Sequence, residues 1–182
     1  MILRKLLNFI AQFPGNIKQQ FRNIYLNSNF YDKKISKIKN EELIYKPSPH
    51  LLSSLIKYQT QKINVDSISE ENLWENENTN NDNFKRLNNF YWFFSLDLKS
   101  SRKKTQKIVS DWITKNHKYN SRSWEFDLTS KRIIAWLSNH SLTLEQADKN
   151  YLEIFNGMIQ KQTNHLIGEI NNSKNTNNKI IG

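Results

Sequence analysis

The stretch SWEFDLTSKRIIAWLS, residues 123–138, decides how this chain is expected to fold. Its apolar residues, among them Ile133 and Trp136, recur with the spacing of one helical face. Asp127 or Thr129 can cap the helix that they define. Because a helix with a wide apolar stripe must bury it against another element, the stretch predicts one helix of a packed helical domain.

Three further helices are expected around this one. Residues 84–98 are rich in Phe and Tyr on one helical face, and neighbouring aromatic residues make the helix apolar on most sides, so it should be buried. Ser100 or Ser101 can cap the next helix. The last helix begins near Thr143, where Thr143 and Gln146 form a capping box. Four helices of similar length joined by short polar loops predict a series of antiparallel hairpins.

Residues 1–83 have a weaker pattern and form a separate first region in this interpretation. The region consists of an amphipathic helix over 2–13, a second helix over 17–26, a candidate strand over 62–66 and a polar loop over 75–83. We therefore expect a loosely structured lead-in over 1–83 and a helical body over 84–182.

The first residues place basic side chains beside a short apolar run, as a signal peptide does. The run is broken by Asn8 and Gln12 and has no small-x-small cleavage site, so an amphipathic helix that is docked on the protein or lies on a surface is the better interpretation. No apolar stretch reaches the roughly 18 to 20 residues that a membrane span needs. The location stays open between the cytoplasm, which is the default, and the periplasm.

The net charge of +10 suggests an anionic partner, but the charge comes from 21 Lys and only 6 Arg, beside 26 Asn. Such a profile accumulates at unconstrained surface positions encoded by A+T-rich codons, so we interpret most of the charge as background. One basic cluster either contacts a polyanion or is a solvated helix face, which we favour; it comprises Lys99, Arg102, Lys103, Lys104 and Lys107. The absence of cysteine excludes disulfides and thiolate metal sites, and no metal site or cofactor is expected.

Five spaced features resemble the heparinase II/III family, particularly its bacterial members with a long helical N-terminal domain. They are Leu-Trp at 73–74, the Phe-rich segment 87–98, Ser-Asp-Trp-Ile at 110–113, the stretch 123–138 with its Trp, Thr, Arg-Ile and second Trp, and Gln162-x-x-His165-Leu166. The resemblance covers roughly residues 73 to 170.

This resemblance implies an incomplete α/α toroid, a ring of helical hairpins around a glycan groove, that is normally followed by a β-sandwich. Residues 179–182 look like the first turn of another element, so we expect a truncated toroid. The implied activity is β-elimination beside a uronic acid in an acidic polysaccharide, with an Asn neutralising the carboxylate and Tyr or His moving the proton. Asn178 stands where the family's Asn-His pair begins, but Lys179 replaces the His. We therefore expect the 182-residue chain to be inactive as a carbon–oxygen lyase.

Four side chains are candidate substrate contacts: Trp124, Arg132, Trp136 and His140. Indole faces stack on sugars, and a guanidinium pairs with carboxylate or sulfate. In the alternative interpretation, which we favour, the tryptophans lock one hairpin against the next while Arg132 bonds loop carbonyls. His140 suits a helix C-terminus as well as a substrate. His165, on an apolar face, is expected to be an interior histidine.

Two other classes of function remain open. One is a non-catalytic glycan-binding or scaffold protein that keeps the toroid without its chemistry. The other is a basic helical protein that binds RNA, another polyanion or a membrane surface. The chain has no glycine-rich loop or recognition motif, so nucleic acid is not the expected partner, although salt-sensitive binding to a polyanion would favour that class.

Overall fold

The computed structural model of the chain describes residues 15–37, 68, 73–74, 81–97 and 99–170. This part of the chain is mainly helical, with no β-strand among the described residues. Its elements are α1 (Gly15–Leu26), α2 (Asn29–Ile35), α3 (Asn81–Asn88), a 3-10 helix (Tyr91–Ser95), α4 (Arg102–Lys115), α5 (Phe126–Ser138), α6 (His140–Thr143) and α7 (Lys149–Glu169). The predicted helix over 2–13, the strand over 62–66, most of the loop over 75–83 and Asn178 lie outside the described residues.

The three long helices α4, α5 and α7 form an antiparallel bundle. Trp124, just before α5, bonds the carbonyl of Asn116, just after α4. At the opposite end, Arg102 at the start of α4 bonds the carbonyl of Ser141, beyond α5. Contacts between α5 and α7 also run in opposite order, from Trp124 beside His165 to Trp136 beside Phe155. The three helices therefore run up, down and up, and α7 packs against both α5 and α4.

Aromatic rings fill the centre of this bundle. Phe90, Trp112 and Trp136 form a triangle of edge-to-face contacts, with ring centroids 5.1 to 6.0 Å apart. All three side chains are completely buried. Aromatic pairs of this geometry contribute about 0.5–1.5 kcal/mol each beyond their buried area. Short helices that could not persist alone are therefore held by a shared aromatic core.

Residues 84–98 do not form the single buried helix that the sequence predicts. Helix α3 ends at Asn88, Phe90 adopts a left-handed conformation with φ 57°, and a 3-10 helix follows. The reversal costs backbone energy at a residue other than glycine, but it directs the Phe90 ring into the core, where it is fully buried. The predicted burial is confirmed for Phe90 and Phe93, and the predicted helix is wrong.

Helix capping agrees with the sequence in one case and differs in two. Ser101 caps α4 by accepting from the backbone N–H of Lys104, as predicted. Neither Asp127 nor Thr129 caps α5, because both lie inside that helix. Asp148 caps α7, so the predicted start of this helix near Thr143 is wrong. Gln146, with φ 58°, lies between Thr143 and Asp148 and interrupts the helical backbone there.

Two helices of the lead-in are described, and α2 packs against α7. Tyr31 and Ile35 are buried there, and the side-chain amide of Asn164 donates to the carbonyl of Ile35 at 2.8 Å. Lys161 pairs with Asp32 at 2.7 Å. The predicted helix over 17–26 is confirmed by α1. No helix in the described residues is both long and apolar enough to cross a membrane.

Candidate functional site

Arg132 occupies the centre of the bundle with its side chain completely buried. Its Nη1 donates to the backbone carbonyls of Asn88 at 2.9 Å and Ser123 at 3.0 Å. Its Nε donates to Gln162 Oε1 at 3.2 Å, and its Nη2 donates to Thr129 Oγ1 at 3.2 Å. One guanidinium therefore joins α3, the loop before α5, α5 and α7.

Among the described residues, the groups that contact this guanidinium are all neutral. Its central carbon lies 3.9 Å from the Trp112 ring centroid and 6.0 Å from that of Trp136. No carboxylate of the described chain forms an ion pair with it. Burial lowers the pKa of Arg132 below its ordinary value, but a guanidinium keeps its proton in proteins. A positive charge is thus held in the core by carbonyl dipoles and indole faces.

The two predicted tryptophan contacts lie in the core and not on an open groove. Trp124 is 1% exposed and Trp136 is 0% exposed. Trp124 donates from Nε1 to the carbonyl of Asn116 at 3.1 Å. Together with Arg132 they match the packing interpretation that the sequence favoured, because a completely buried side chain cannot stack on a sugar in this conformation.

His165 is an interior histidine, as predicted. Its Nε2 donates to the carbonyl of Trp124 at 3.1 Å, so its Nδ1 accepts from the Tyr31 hydroxyl at 2.7 Å. Burial, with a smaller contribution from the charge of Arg132, lowers the pKa of His165 to about 4, although the bond to Trp124 opposes this. The imidazole is neutral at pH 7 and connects the lead-in to the bundle.

His140 lies at the other end of the bundle from Trp124. It begins α6, and its Nε2 is 3.9 Å from Glu145 Oε1, while Arg102 reaches the same carboxylate at 3.3 Å. The structure therefore does not bring all four predicted contacts together, because His140 lies at the end of the bundle near Trp136 and away from Trp124. Asn178 lies outside the described residues.

Beside the buried Arg132 is an open cleft of about 280 Å³ between α3, the end of α4 and the loop before α5. Its lining residues are Leu73, Trp74, Phe84, Leu87, Asn88, Lys115, Asn116, Asn120, Arg122 and Ser123. Arg132 bonds the carbonyls of Asn88 and Ser123, and Trp124 bonds that of Asn116. Arg132 and Trp124, which the sequence predicted as substrate contacts, therefore hydrogen-bond the backbone of residues that line the cleft.

The lining of the cleft is basic and rich in hydrogen-bonding groups. Lys115 and Arg122 supply positive charge, and no carboxylate, histidine or tyrosine is among the described residues that line it. The Lys115 ammonium donates to the carbonyl of Trp74. The Arg122 guanidinium stacks over the Phe84 ring at 4.2 Å. The sequence analysis did not predict these residues. The feature that could have indicated them is the polar loop over 116–125, which contains Asn, Lys and Arg and connects α4 to α5.

Comparisons of the chain with protein-family models, with curated proteins and with solved structures find no match. The heparinase II/III resemblance therefore stands on the spaced residues of the sequence alone.

Proposed function

We propose that this chain is the N-terminal helical portion of a heparinase II/III-like polysaccharide lyase. In this proposal the antiparallel bundle of α4, α5 and α7 is the first part of an α/α toroid. The complete protein acts by β-elimination on glycans that contain uronic acid. The 182-residue chain binds acidic glycan without cleaving it.

One observation carries this proposal: the motif residues support a basic cleft that has no acidic lining residue among those described. Trp124 and Arg132, which carry the resemblance, hydrogen-bond the backbone of Asn116, Asn88 and Ser123. The same three residues line the cleft together with Lys115 and Arg122. A motif that shapes a positively charged cleft is what recognition of an acidic polymer requires.

β-Elimination needs a group that neutralises the uronate carboxylate and a base that removes the proton. The described residues of the cleft provide only the first. The proton beside a uronate carboxylate becomes acidic only when a cation or amide neutralises that carboxylate. Lys115, Arg122 and the neighbouring amides offer such groups. A base must then take the proton, and the described lining of the cleft has no histidine, tyrosine or carboxylate for this purpose. The proposed chain therefore contributes binding, and the base comes from elsewhere.

The decisive experiment reads the gene beyond Gly182 and compares any longer product with the 182-residue chain. Both proteins are incubated with uronate polymers and with a neutral glucan as control. We expect the longer protein to produce the ultraviolet absorbance of an unsaturated uronate from the acidic polymers alone, and the 182-residue chain to produce none. A longer protein that contains an Asn, a Tyr and a His in the family pattern but forms no such product would contradict the lyase assignment.

A non-catalytic glycan-binding scaffold is the second candidate, because the described cleft has cations but no base. It predicts retention of the longer protein on an immobilised acidic glycan without any unsaturated product. Retention together with product formation favours the lyase.

A further inference from the structure

Helix α1 of the lead-in has an apolar face that points away from the body. Ile17, Phe21 and Ile24 recur with the spacing of one helical face, and Phe21 and Ile24 are 65% and 69% exposed. On the other side of the helix, Arg22 pairs with the carboxylate of Glu169 in α7. An amphipathic helix normally buries its apolar stripe, so this face indicates a partner outside the described residues.

Helix α2 continues this apolar surface. The ring of Phe30, which is 70% exposed, lies beside the ring of Tyr25 near the end of α1, with the centroids 6.4 Å apart. Four of the six large apolar side chains that are exposed among the described residues belong to these two short helices. We call them the α1–α2 patch, and they are Phe21, Ile24, Tyr25 and Phe30. A concentration of exposed apolar side chains with polar residues around it marks an interaction surface.

Positive charge lies at the edge of this patch. Residues 15–37 contain five basic residues and one acidic residue, Asp32, whose carboxylate pairs with a lysine of α7. Lys33 and Lys34 follow Phe30 by three and four residues, so they share its side of α2, and both are exposed. The patch is therefore apolar at its centre and cationic at its edge.

This combination favours a lipid surface over a second copy of the chain or a nucleic acid. Two copies would bring like charges together, which opposes their association. A nucleic acid would pair with the lysines but would leave the aliphatic Ile24 in water. An anionic bilayer accepts both kinds of group. Apolar side chains enter the boundary between headgroups and acyl chains, while lysine stems extend to the phosphates.

We propose that the α1–α2 patch docks the chain on the surface of an anionic lipid bilayer. Phe21, Ile24 and Phe30 enter the bilayer below the headgroups, α1 lies parallel to the surface, and Lys33 contacts the lipid phosphates. The binding is reversible, because one short amphipathic segment buries a modest apolar area. The inference does not depend on the lyase assignment, since none of these residues lines the cleft beside Arg132.

The test measures co-flotation of the full 182-residue chain with lipid vesicles. One set of vesicles contains phosphatidylcholine alone, and the other contains phosphatidylcholine mixed with phosphatidylserine. We expect the chain to partition into the phosphatidylserine vesicles at least about 10-fold more strongly, because each lysine near an anionic surface contributes about 5-fold. Added salt should weaken this partitioning, since salt screens exposed charges.

Two variants separate the apolar part of the binding from the ionic part. Replacing both exposed rings, by Phe21→Ala together with Phe30→Ala, should weaken partitioning by about 10-fold or more and leave the free energy of unfolding without lipid nearly unchanged. Lys33→Gln should weaken it by about 5-fold. The matched controls, which should bind vesicles like wild type, are Ile154→Ala and Lys103→Gln. They change an exposed isoleucine and an exposed lysine beside one shallow depression of the body.

Several outcomes would overturn the proposal. Equal partitioning into both kinds of vesicle would remove the anionic requirement. Equal losses for the patch variants and the body controls would place the lipid-binding surface elsewhere. Full binding by the double phenylalanine variant would leave an ionic site for polyanions, which binding to polyuridylate RNA would then identify. A lower unfolding free energy of that variant without lipid would show that protein already covers the patch: another copy if the loss depends on protein concentration, and the chain itself if it does not.

Discussion

The helical body and the lead-in bury their apolar residues to different extents. In α4, α5 and α7 both tryptophans and half of the Ile, Leu and Val residues are buried, and the large apolar residues exposed there are Ile154 and Ile167. In α1 and α2, by contrast, Phe21, Ile24 and Phe30 are 65%, 69% and 70% exposed. Burial of apolar area is the main favourable term in folding, so the body supplies most of the stability and the lead-in supplies little.

The difference teaches how the lead-in is attached. It contacts α7 through a few buried side chains and several polar bonds, including Tyr31 to His165 and Asn164 to Ile35. The body is also organised around one polar group, Arg132, but that group is surrounded by aromatic rings. Polar contacts therefore position both regions, and only the body adds a large apolar core.

The largest effect is expected for Arg132→Ala. The change opens a cavity in the body and leaves two backbone carbonyls and Gln162 Oε1 without their donor. We expect the free energy of unfolding to fall by about 4 kcal/mol, measured by urea denaturation. Arg86→Ala is the control, because Arg86 is exposed and its replacement should cost less than about 1 kcal/mol. Similar losses for both variants would contradict the central role of Arg132.

The next largest effect is a pH dependence that arises where the two regions meet. The folded-state pKa of His165 is about 4, below the unfolded value of about 6.5, so the unfolded chain binds more protons between these values. Stability from this group is complete above pH 6.5 and is lost as the pH falls towards 4, by about 3 kcal/mol.

His165→Gln should remove this part of the pH dependence. The quantity to compare is the change in unfolding free energy from pH 7 to pH 4.5, in which the carboxylates contribute equally to both proteins. His117→Gln is the control, since the His117 side chain is exposed and its imidazole bonds the carbonyl of Thr114. Equal losses of stability on acidification in wild type and His165→Gln would contradict the lowered pKa of the buried His165.

Periodicity predicted the helices of the body because their apolar residues must face one core. It failed at Phe90 and Gln146, which adopt positive φ values that nothing in their residue types indicates. The bonding of Arg132 to loop carbonyls was predicted from the sequence. The cleft was not, because Lys115, Arg122 and Ser123 lie on a helix end and a loop, and only tertiary packing brings them beside Trp74.

A smaller effect is expected for Tyr31→Phe, which separates the polar part of the lead-in's attachment from its apolar part. The variant keeps the ring but leaves Nδ1 of the buried His165 without its donor. We expect a loss of about 1.5 kcal/mol in unfolding free energy. Tyr25→Phe is the matched control in the same region, because among the described residues the Tyr25 hydroxyl bonds the exposed Lys34 at 3.3 Å and should matter little. A negligible effect of Tyr31→Phe would mean that the hydrogen bond between Tyr31 and His165 does not contribute to the attachment of α2.

The smallest effect is expected on the exposed face of the lead-in. Ile24→Ala should change the free energy of unfolding by less than about 0.5 kcal/mol, because a side chain that is 69% exposed loses little on truncation. Ile35→Ala, at a position that is 3% exposed, should cost about 2 to 3 kcal/mol in the same urea experiment. A loss above about 1 kcal/mol for Ile24→Ala that depends on protein concentration would show a second molecule covering this face. A loss of that size without concentration dependence would show that the chain itself covers it, and the contrast between the two regions would then disappear.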